Sequence, residues 1–369
     1  MIKKNQILKI YGTDYKEMTK RLLKAAGLAE LIGDRKKRVG IKPNLVTPSP
    51  AEFGGTTHPE VVAGIVEYLQ EHGFSDILIA EGSWVGDRTS DAYEYCGYRN
   101  LCEKYDVLFT DTKKEHSYSV DCGGMKLKIC DVVDRIDFLI NVPVMKGHCQ
   151  TKVTCALKNL KGLIPDSEKR HFHQMGLHKP IAYLQRAIRQ DFIVVDHICG
   201  DLDFEEGGRP VVRNAVMAAV DPVLVDSYVS YLMNYTPDDV PYIKIASELG
   251  IGSTDLTRAE ILNLNEGSLD RELPAEHRYL DVSYAVEETD SCSACYANLT
   301  EALRRLEEEG LLKKLDTRIG IGQGMRGKSG VFGVGQCTAG FEHSVPGCPP
   351  DADEIYRALI RQWGQSPVS

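Results

Sequence analysis

The 369-residue chain has no apolar run of the roughly 18 residues that a membrane span needs, so no transmembrane segment is expected. It also lacks a basic excess. Lys and Arg number 44 against 53 Asp and Glu, and a formal charge of −9 withholds the footprint of a nucleic-acid binder. Behind the charged N-terminus (Met1-Ile2-Lys3-Lys4-Asn5-Gln6) lies neither an apolar segment nor a small-residue cleavage site. No secretory signal is expected, and the cytoplasm is the expected compartment. Eleven cysteines are too few, and odd in number, for a disulfide scaffold. What is present is an ordinary globular balance, 43% hydrophobic and 26% charged, which excludes wholesale disorder and supplies a sizeable core. At about 100–200 residues per domain, one large or two ordinary domains fit.

Short apolar runs alternate with helical periodicity. Strands are expected at Arg38–Asn44, Asp76–Ala80, Asp106–Thr110, Asp137–Asn141, Phe192–Val195 and Val216–Val220. Helices are expected at Pro59–His72, where Val62, Ile65, Val66 and Leu69 share one face before Gly73, at Pro222–Asn234 and at Pro241–Leu249. The alternation predicts βαβ units: a layered α/β fold with a mostly parallel sheet and flanking helices. In such sheets chemistry collects beyond the carboxyl ends of the strands, here Lys42-Pro43-Asn44, Glu81-Gly82-Ser83, Asn141-Val142-Pro143 and Asp196-His197. No internal repeat stands out. Weakly patterned residues 252–290 set a boundary near 285, giving a main α/β domain (1–285) and a small C-terminal α/β unit (286–369). In the latter, Asn298–Glu309 and Asp351–Trp363 read as helices and Thr317–Gly322 as a strand.

Four cysteines fall in that unit: Cys292 and Cys295 in a C-x-x-C turn, then Cys337, then Cys348 in Gly347-Cys348-Pro349-Pro350. A C-x-x-C turn lets two thiolates converge on one metal, and four thiolates suit either structural zinc or one [4Fe–4S] cluster. Glycines at 330, 333, 335, 340 and 347, which free backbone N–H groups for cluster sulfurs, and the proline after Cys348 favour the cluster. Between the ligands, Gly322-Gln-Gly324-Met-Arg-Gly327-Lys328-Ser329 satisfies a phosphate-loop pattern. That pattern works only ahead of a helix, and Gly330-Val-Phe-Gly333-Val-Gly335 cannot be one.

From Phe138 to Pro165 there is no Asp or Glu, yet there are Lys146, Lys152, Lys158 and Lys161. Residues 151–161 read as an amphipathic helix with Thr151, Thr154, Lys158 and Lys161 on one face. Beside Lys146-Gly147-His148, and with Lys42 and Asn44 at another strand end, the patch suits a small anion, carboxylate or phosphate. His171, His173 and His178 are either surface histidines or an acid/base or divalent-metal group in a lid over the lysines. His58, at a helix start, and His197 are weaker candidates. Asp221 is expected to cap the helix that opens at Pro222, and Asp226 is expected to be structural.

Lys42-Pro-Asn-Leu-Val46, Thr56-Thr-His58-Pro-Glu60-Val-Val, Val142-Pro-Val-Met-Lys146-Gly-His148, Thr151-Lys-Val-Thr-Cys-Ala-Leu-Lys158-Asn-Leu-Lys161-Gly, Asp221-Pro-Val and Gly347-Cys-Pro-Pro350 together resemble the family catalogued as domain of unknown function 362 (DUF362). The resemblance runs from about residue 38 to 362. It implies an iron–sulfur-associated protein of mostly anaerobic bacteria or archaea. Many relatives carry a ferredoxin-like domain with two compact C-x2-C-x2-C-x3-C runs; this chain has four dispersed cysteines instead, so at most one cluster is expected.

These readings combine into an iron–sulfur oxidoreductase. One [4Fe–4S] cluster on Cys292, Cys295, Cys337 and Cys348 would pass electrons, with a ferredoxin-type partner, to or from a small anion. That anion would be held by Lys42, Asn44, His58, Lys146, Lys158 and Lys161, with His148 or His173 moving the proton. The alternatives are a non-redox enzyme of isomerase or hydrolase type with a structural cluster, and an electron carrier or binding module. Flavin use and oligomeric state leave no mark in the sequence.

Overall fold

The computed structural model describes residues 1–270, 272, 274 and 282–364. The chain divides into two units, Met1–Arg278 and Tyr279–Ser369. In the first, the strands in chain order are β1 (Gln6–Tyr11), β2 (Val39–Lys42), β3 (Ile77–Glu81), β4 (Leu108–Asp111), β5 (Ser117–Asp121), β6 (Lys126–Cys130), β7 (Phe138–Asn141), β8 (Lys146–His148), β9 (Lys152–Thr154), β10 (Phe192–Asp201), β11 (Pro210–Ala219), β12 (Glu260–Asn263) and β13 (Ser268–Leu269). Nine of them form one sheet in the order β13-β12-β1-β11-β10-β7-β2-β3-β4. The run from β10 through β7, β2 and β3 to β4 is parallel, as βαβ alternation predicts. The other half is mixed: β11 lies antiparallel between β10 and β1, and β12 is parallel to β1.

Val39, Ile41, Ile77, Ile79, Phe138 and Ile140 are buried on one face and Leu78, Ala80 and Leu139 on the other, so the parallel strands are apolar on both faces and need helices above and below. Helix Pro59–Glu71 supplies one cover through Val61, Val62, Ile65, Val66 and Leu69. Its Gly64 is required by the next layer, since a Cβ there would stand 2.7 Å from the carbonyl oxygen of Lys16 in helix Tyr15–Ala26.

Two expectations change. First, β10 and β11 are each ten residues long, well beyond Phe192–Val195 and Val216–Val220. The apolar signal stops at Asp196-His197, but every residue of β10 is buried and its polar groups are paired inside the protein. Second, residues 151–161 are not one helix. Lys146 pairs with Thr154, Gly147 with Val153 and His148 with Lys152 in a hairpin, followed by the short helix Ala156–Asn159 and the 3-10 turn Leu160–Leu163. The helix start is fixed from outside, where the Asp226 carboxylate accepts from the backbone N–H groups of Ala156 (2.7 Å) and Leu157 (3.1 Å). Asp221 accepts from Val223 and Leu224 at the head of helix Pro222–Leu232.

The second unit holds β14 (Val286–Glu288), β15 (Ile319–Ile321), β16 (Phe332–Val334) and β17 (His343–Val345), all parallel, with helices Ser293–Glu308 and Ala352–Trp363. Here the sequence hides a repeat. Gly320-Ile321-Gly322-Gln323 and Gly333-Val334-Gly335-Gln336 are adjacent strand-to-turn units in register, Gly320 opposite Gly333 and Ile321 opposite Val334. Each opens a 3-10 turn, Gln323–Met325 and Gln336–Thr338. The phosphate-loop look-alike is therefore the joint between two repeats, and Lys328-Ser329 leads into a strand. Among the described residues no helix is long and apolar enough to cross a membrane.

Asp226 is fully buried and makes the two N–H contacts that start helix Ala156–Asn159. Asp226→Ala leaves both donors unanswered and is expected to cost about 2–4 kcal/mol in urea unfolding; a loss under about 0.5 kcal/mol would show that these contacts do not hold the segment.

Candidate functional site

The carboxyl ends of three adjacent strands present Lys42 (β2), Glu81 (β3) and Asn141 (β7), all buried. A lysine there needs an internal counter-charge, and Glu81 supplies it: Lys42 Nζ lies 2.7 Å from Glu81 Oε2. The other Glu81 oxygen accepts from the N–H of Gly82 at 2.7 Å, and Oε2 also accepts from that of Leu45 at 3.0 Å. Gly162 closes the pair off, since a Cβ at that position would lie 1.8 Å from Glu81 Oε1. Asn159 ties the ends together. Its Nδ2 donates to Asn141 Oδ1 (2.7 Å), and its Oδ1 accepts from Asn44 Nδ2 (2.9 Å).

Asn44 continues the network outward, its Oδ1 accepting from Lys146 Nζ at 2.9 Å. Lys146 also donates to the backbone oxygens of Gly55 and, at 2.7 Å, Glu205. Glu205 belongs to the loop between β10 and β11, far from the lysines in sequence. Its Oε1 pairs with Lys158 Nζ, which also donates to Thr154 Oγ1 at 3.0 Å. Its Oε2 stands 3.2 Å from His148 Nε2, within ion-pair reach but off the line that a hydrogen bond needs. His148 Nδ1 accepts from the N–H groups of Gln150 (3.0 Å) and Thr151 (3.1 Å), so its proton sits on Nε2.

The acid-free stretch is thus not acid-free in space. Burial opposes ionisation of Glu205, but Lys158, His148 and Lys146 hold it well below the usual carboxylate range. Burial, with Glu205 next to it, pushes Glu206 up. Burial lowers Lys146 to about 8 despite Glu205, and burial with Lys158 lowers Lys161 to about 7. Lys161 differs from its neighbours. It is half-buried, and among the described residues no hydrogen bond or ion pair reaches its ammonium.

Burial and Lys158 push His148 down to about 4, and burial with Lys161 pushes His173 further down. Both imidazoles are neutral at neutral pH, and His173 Nδ1 is buried without a partner among the described residues. His171 is exposed and reaches Glu168 at 3.5 Å. His178 stacks on Tyr242 with ring centroids 6.0 Å apart. His58 stands apart from the lysine network, its Nδ1 2.8 Å from Asp196 Oδ2. His197 lies buried by Glu272, with Nε2 3.4 Å from Oε1.

Lys42, Asn44, Lys146, His148 and Lys158 therefore form one connected polar network, with Lys161 and His173 in its field. Sequence reasoning missed Asn159 and Glu205. Asn159 had a signal, lying between Lys158 and Lys161, but Glu205 sits in a plain acidic loop.

The four C-terminal cysteines all follow strands of the small sheet. Cys292 follows β14 at the N-cap position of helix Ser293–Glu308, Cys295 lies in the first turn of that helix, Cys337 lies in the turn after β16, and Cys348 comes after β17. A Cβ on Gly335 would stand 3.9 Å from Cys295 Sγ. Burial, with Cys292, Cys348 and Cys337 nearby, pushes the Cys295 thiol up to about 12, the response of one thiol among three others. Gln323 Nε2 donates to Cys292 Sγ at 3.6 Å, and Cys337 raises the pKa of the Arg326 guanidinium. Four soft thiol donors at one end of one sheet suit a four-thiolate site. Among the described residues, no group of three or more His, Cys, Asp or Glu side chains stands at metal-coordinating spacing.

Residues 39–231 match the family model described as a domain of unknown function (DUF362), so the cysteine-bearing unit lies outside the match. The thylakoid-associated protein sll1697 of Synechocystis sp. is 25% identical over 229 residues, 59% of this chain and 69% of the relative. Two solved structures are similar. The lactate racemase apoprotein from Thermoanaerobacterium thermosaccharolyticum has 15% identity and a TM-score of 0.42 over 58% of this chain and 54% of that one. A Thermotoga maritima protein has 14% identity and a TM-score of 0.38 over 64% of this chain and 60% of that one. This chain thus spans less than two thirds of either.

The depressed histidines fix a pH dependence. His148 and His178 are lowered from 6.5 to about 4, so between those values the unfolded chain binds protons that the native state refuses. Their contribution is present above about pH 6.5 and lost as pH falls through about 4. Tm is expected to drop over that interval, and His178→Gln should make the underlying stability slope shallower by about one proton, roughly 1.4 kcal/mol per pH unit. An unchanged slope in the variant would assign the dependence elsewhere.

Proposed function

The chain belongs to the DUF362 family, and from that premise we propose that it is a cytoplasmic iron–sulfur oxidoreductase acting on a small anion. On this reading Cys292, Cys295, Cys337 and Cys348 hold one [4Fe–4S] cluster. The observation that supports it is the placement of the four cysteines after strands of one small parallel sheet, with Cys292, Cys348 and Cys337 each adding to the effect of burial on the Cys295 thiol. When bound, such a cluster supplies single-electron transfer, and a ferredoxin-type protein is the matching electron partner.

The first unit supplies the anion seat. Lys146 and Lys158 are answered by Glu205, which leaves Lys161 as the cation open to a ligand. A carboxylate or phosphate oxygen beside Lys161 restores the charge that burial removes from the amine. His173 and His148 face the same field as neutral imidazoles; His173, with Nδ1 unpartnered among the described residues, can take a proton from the ligand, and His148, whose Nδ1 is occupied by backbone N–H groups, can give one from Nε2. Lys42 is a positioning residue, fixing the strand ends through Glu81.

Anaerobically purified protein is expected to contain about four irons and four acid-labile sulfides per chain, with a band near 400 nm that dithionite bleaches. Cys292→Ser and Cys348→Ser should each lose most of the colour. One zinc and no colour would overturn the cluster. For the seat, calorimetric titration with oxalate and with inorganic phosphate is expected to show binding that Lys161→Met weakens at least about tenfold. Unchanged affinity in that variant would remove Lys161 from the site.

A further inference from the structure

In a regular strand, residues three apart point to opposite faces, which would part Asp196 from Cys199. Between His197 (opposite Ala215) and Cys199 (opposite Val212) the pairing slips by one residue, the extra residue lying in β11, and the Cys199 thiol reaches the same imidazole as the Asp196 carboxylate. Between them stands His58. Its Nδ1 lies 2.8 Å from Asp196 Oδ2, and its Nε2 3.5 Å from Cys199 Sγ. The orientation is fixed. The His58 backbone N–H also donates to Asp196 Oδ2 at 2.8 Å, the other Asp196 oxygen accepts from Ile198 N, and the Tyr15 ring meets the imidazole edge-on at 5.5 Å.

A buried His–Asp ion pair needs no thiol, and the other buried cysteines do without an imidazole. Cys96, Cys122 and Cys130 direct their thiols to backbone carbonyls, whereas Cys199 has both the Ala51 carbonyl and His58, each at 3.5 Å. A nucleophile within reach of a base that a third group orients is the geometry of covalent catalysis. Burial opposes charge on His58, but Asp196, and after it Cys199, lift the imidazole to about 11. The remaining groups in this neighbourhood are Tyr15, Glu52 and Glu60, which share the field of Cys199 and Asp196. Cys199 is 6% exposed, which admits only compact reagents.

We propose that Cys199, His58 and Asp196 form a nucleophilic relay that reacts with compact electrophiles of the hydroperoxide class. In the reactive state the proton already sits on His58, held as an imidazolium by Asp196, and the sulfur reacts as the thiolate beside it. The sulfur attacks the terminal peroxide oxygen, an S–O bond forms and the O–O bond breaks, and the imidazolium returns the proton to the departing hydroxide or alkoxide. Sulfur loses two electrons to the peroxide, and the products are a sulfenic acid and water or an alcohol. The relay lies wholly in the first unit and does not depend on the cluster.

The test treats the intact chain with hydrogen peroxide, traps sulfenic acid with dimedone and maps the label by peptide mass spectrometry. Label on Cys199, reduced at least about tenfold in folded His58→Gln and Asp196→Asn, is expected. No label on Cys199 in the wild type, or equal label in the folded variants, would overturn the relay. If the variants do not fold, wild-type alkylation by iodoacetamide decides. Cys199 should be alkylated at least about tenfold faster than Cys96 and Cys130, whose thiols meet backbone carbonyls instead of an imidazole; equal rates would sink the proposal.

Discussion

An ammonium group taken out of water costs several kcal/mol unless a carboxylate meets it inside the protein, and this chain buries Lys42, Lys146 and Lys158 close together. Much of the first unit is arranged to meet that cost. Glu81 answers Lys42 from the next strand, and Glu205 answers Lys158 with one oxygen while its backbone carbonyl receives Lys146. Asn44 and Asn159 join the two ion pairs into one lattice. Leaving any one ammonium unanswered would cost more than the lattice as a whole gains over an apolar core. Stability alone does not account for the lattice, and the anion site proposed at the strand ends is a constraint that would.

The sheet's mixed topology makes this possible. The parallel half delivers Lys42, Glu81 and Asn141 to one edge, as its strand order requires. It has no further acid to offer Lys146, Lys158 and His148. That acid comes from the antiparallel half, where the long β10–β11 hairpin carries Glu205 across in its loop. Asp201, at the end of β10, accepts from the N–H groups of Asp203, Phe204 and Arg209 and so fixes both ends of that loop. The same hairpin carries Asp196 and Cys199, the two partners of His58. One antiparallel insertion thus sets both the charge balance of the lysine network and the position of the buried thiol.

Legibility in the sequence followed how local each signal was. The parallel strands and helix Pro59–Glu71 were legible because period and composition agree within each segment. Residues 151–161 misled because the helical spacing of Val153, Ala156, Leu157 and Leu160 coexists with a hairpin whose partner is at Lys146–His148. Only Asp226, far along the chain, decides where the helix starts. Lys146, Lys158 and His148 stood out by the lack of nearby acids in sequence, and that lack is what conceals Glu205, since a counter-charge brought in by folding leaves no local trace. The glycine repeat of the second unit was hidden for another reason: the two strand-to-turn segments share little beyond Gly-x-Gly-Gln and one later glycine (Gly327 and Gly340), and it is the strand register that aligns them.

Lys161 shows what the unbalanced remainder of the charge can do. With burial and Lys158 lowering it to about 7, its amine is near the midpoint of titration in a neutral cell, while His148 and His173 are uncharged. An anion that settles beside it stabilises the ammonium form, so ligand binding and proton uptake are linked at this position. A fully paired lysine has no such coupling, because its charge is already fixed by its carboxylate. On the proposed reading the site gains positive charge in response to the ligand, and the proton enters beside the neutral His173. A merely structural ion-pair cluster would have every cation answered, and among the described residues Lys161 is not.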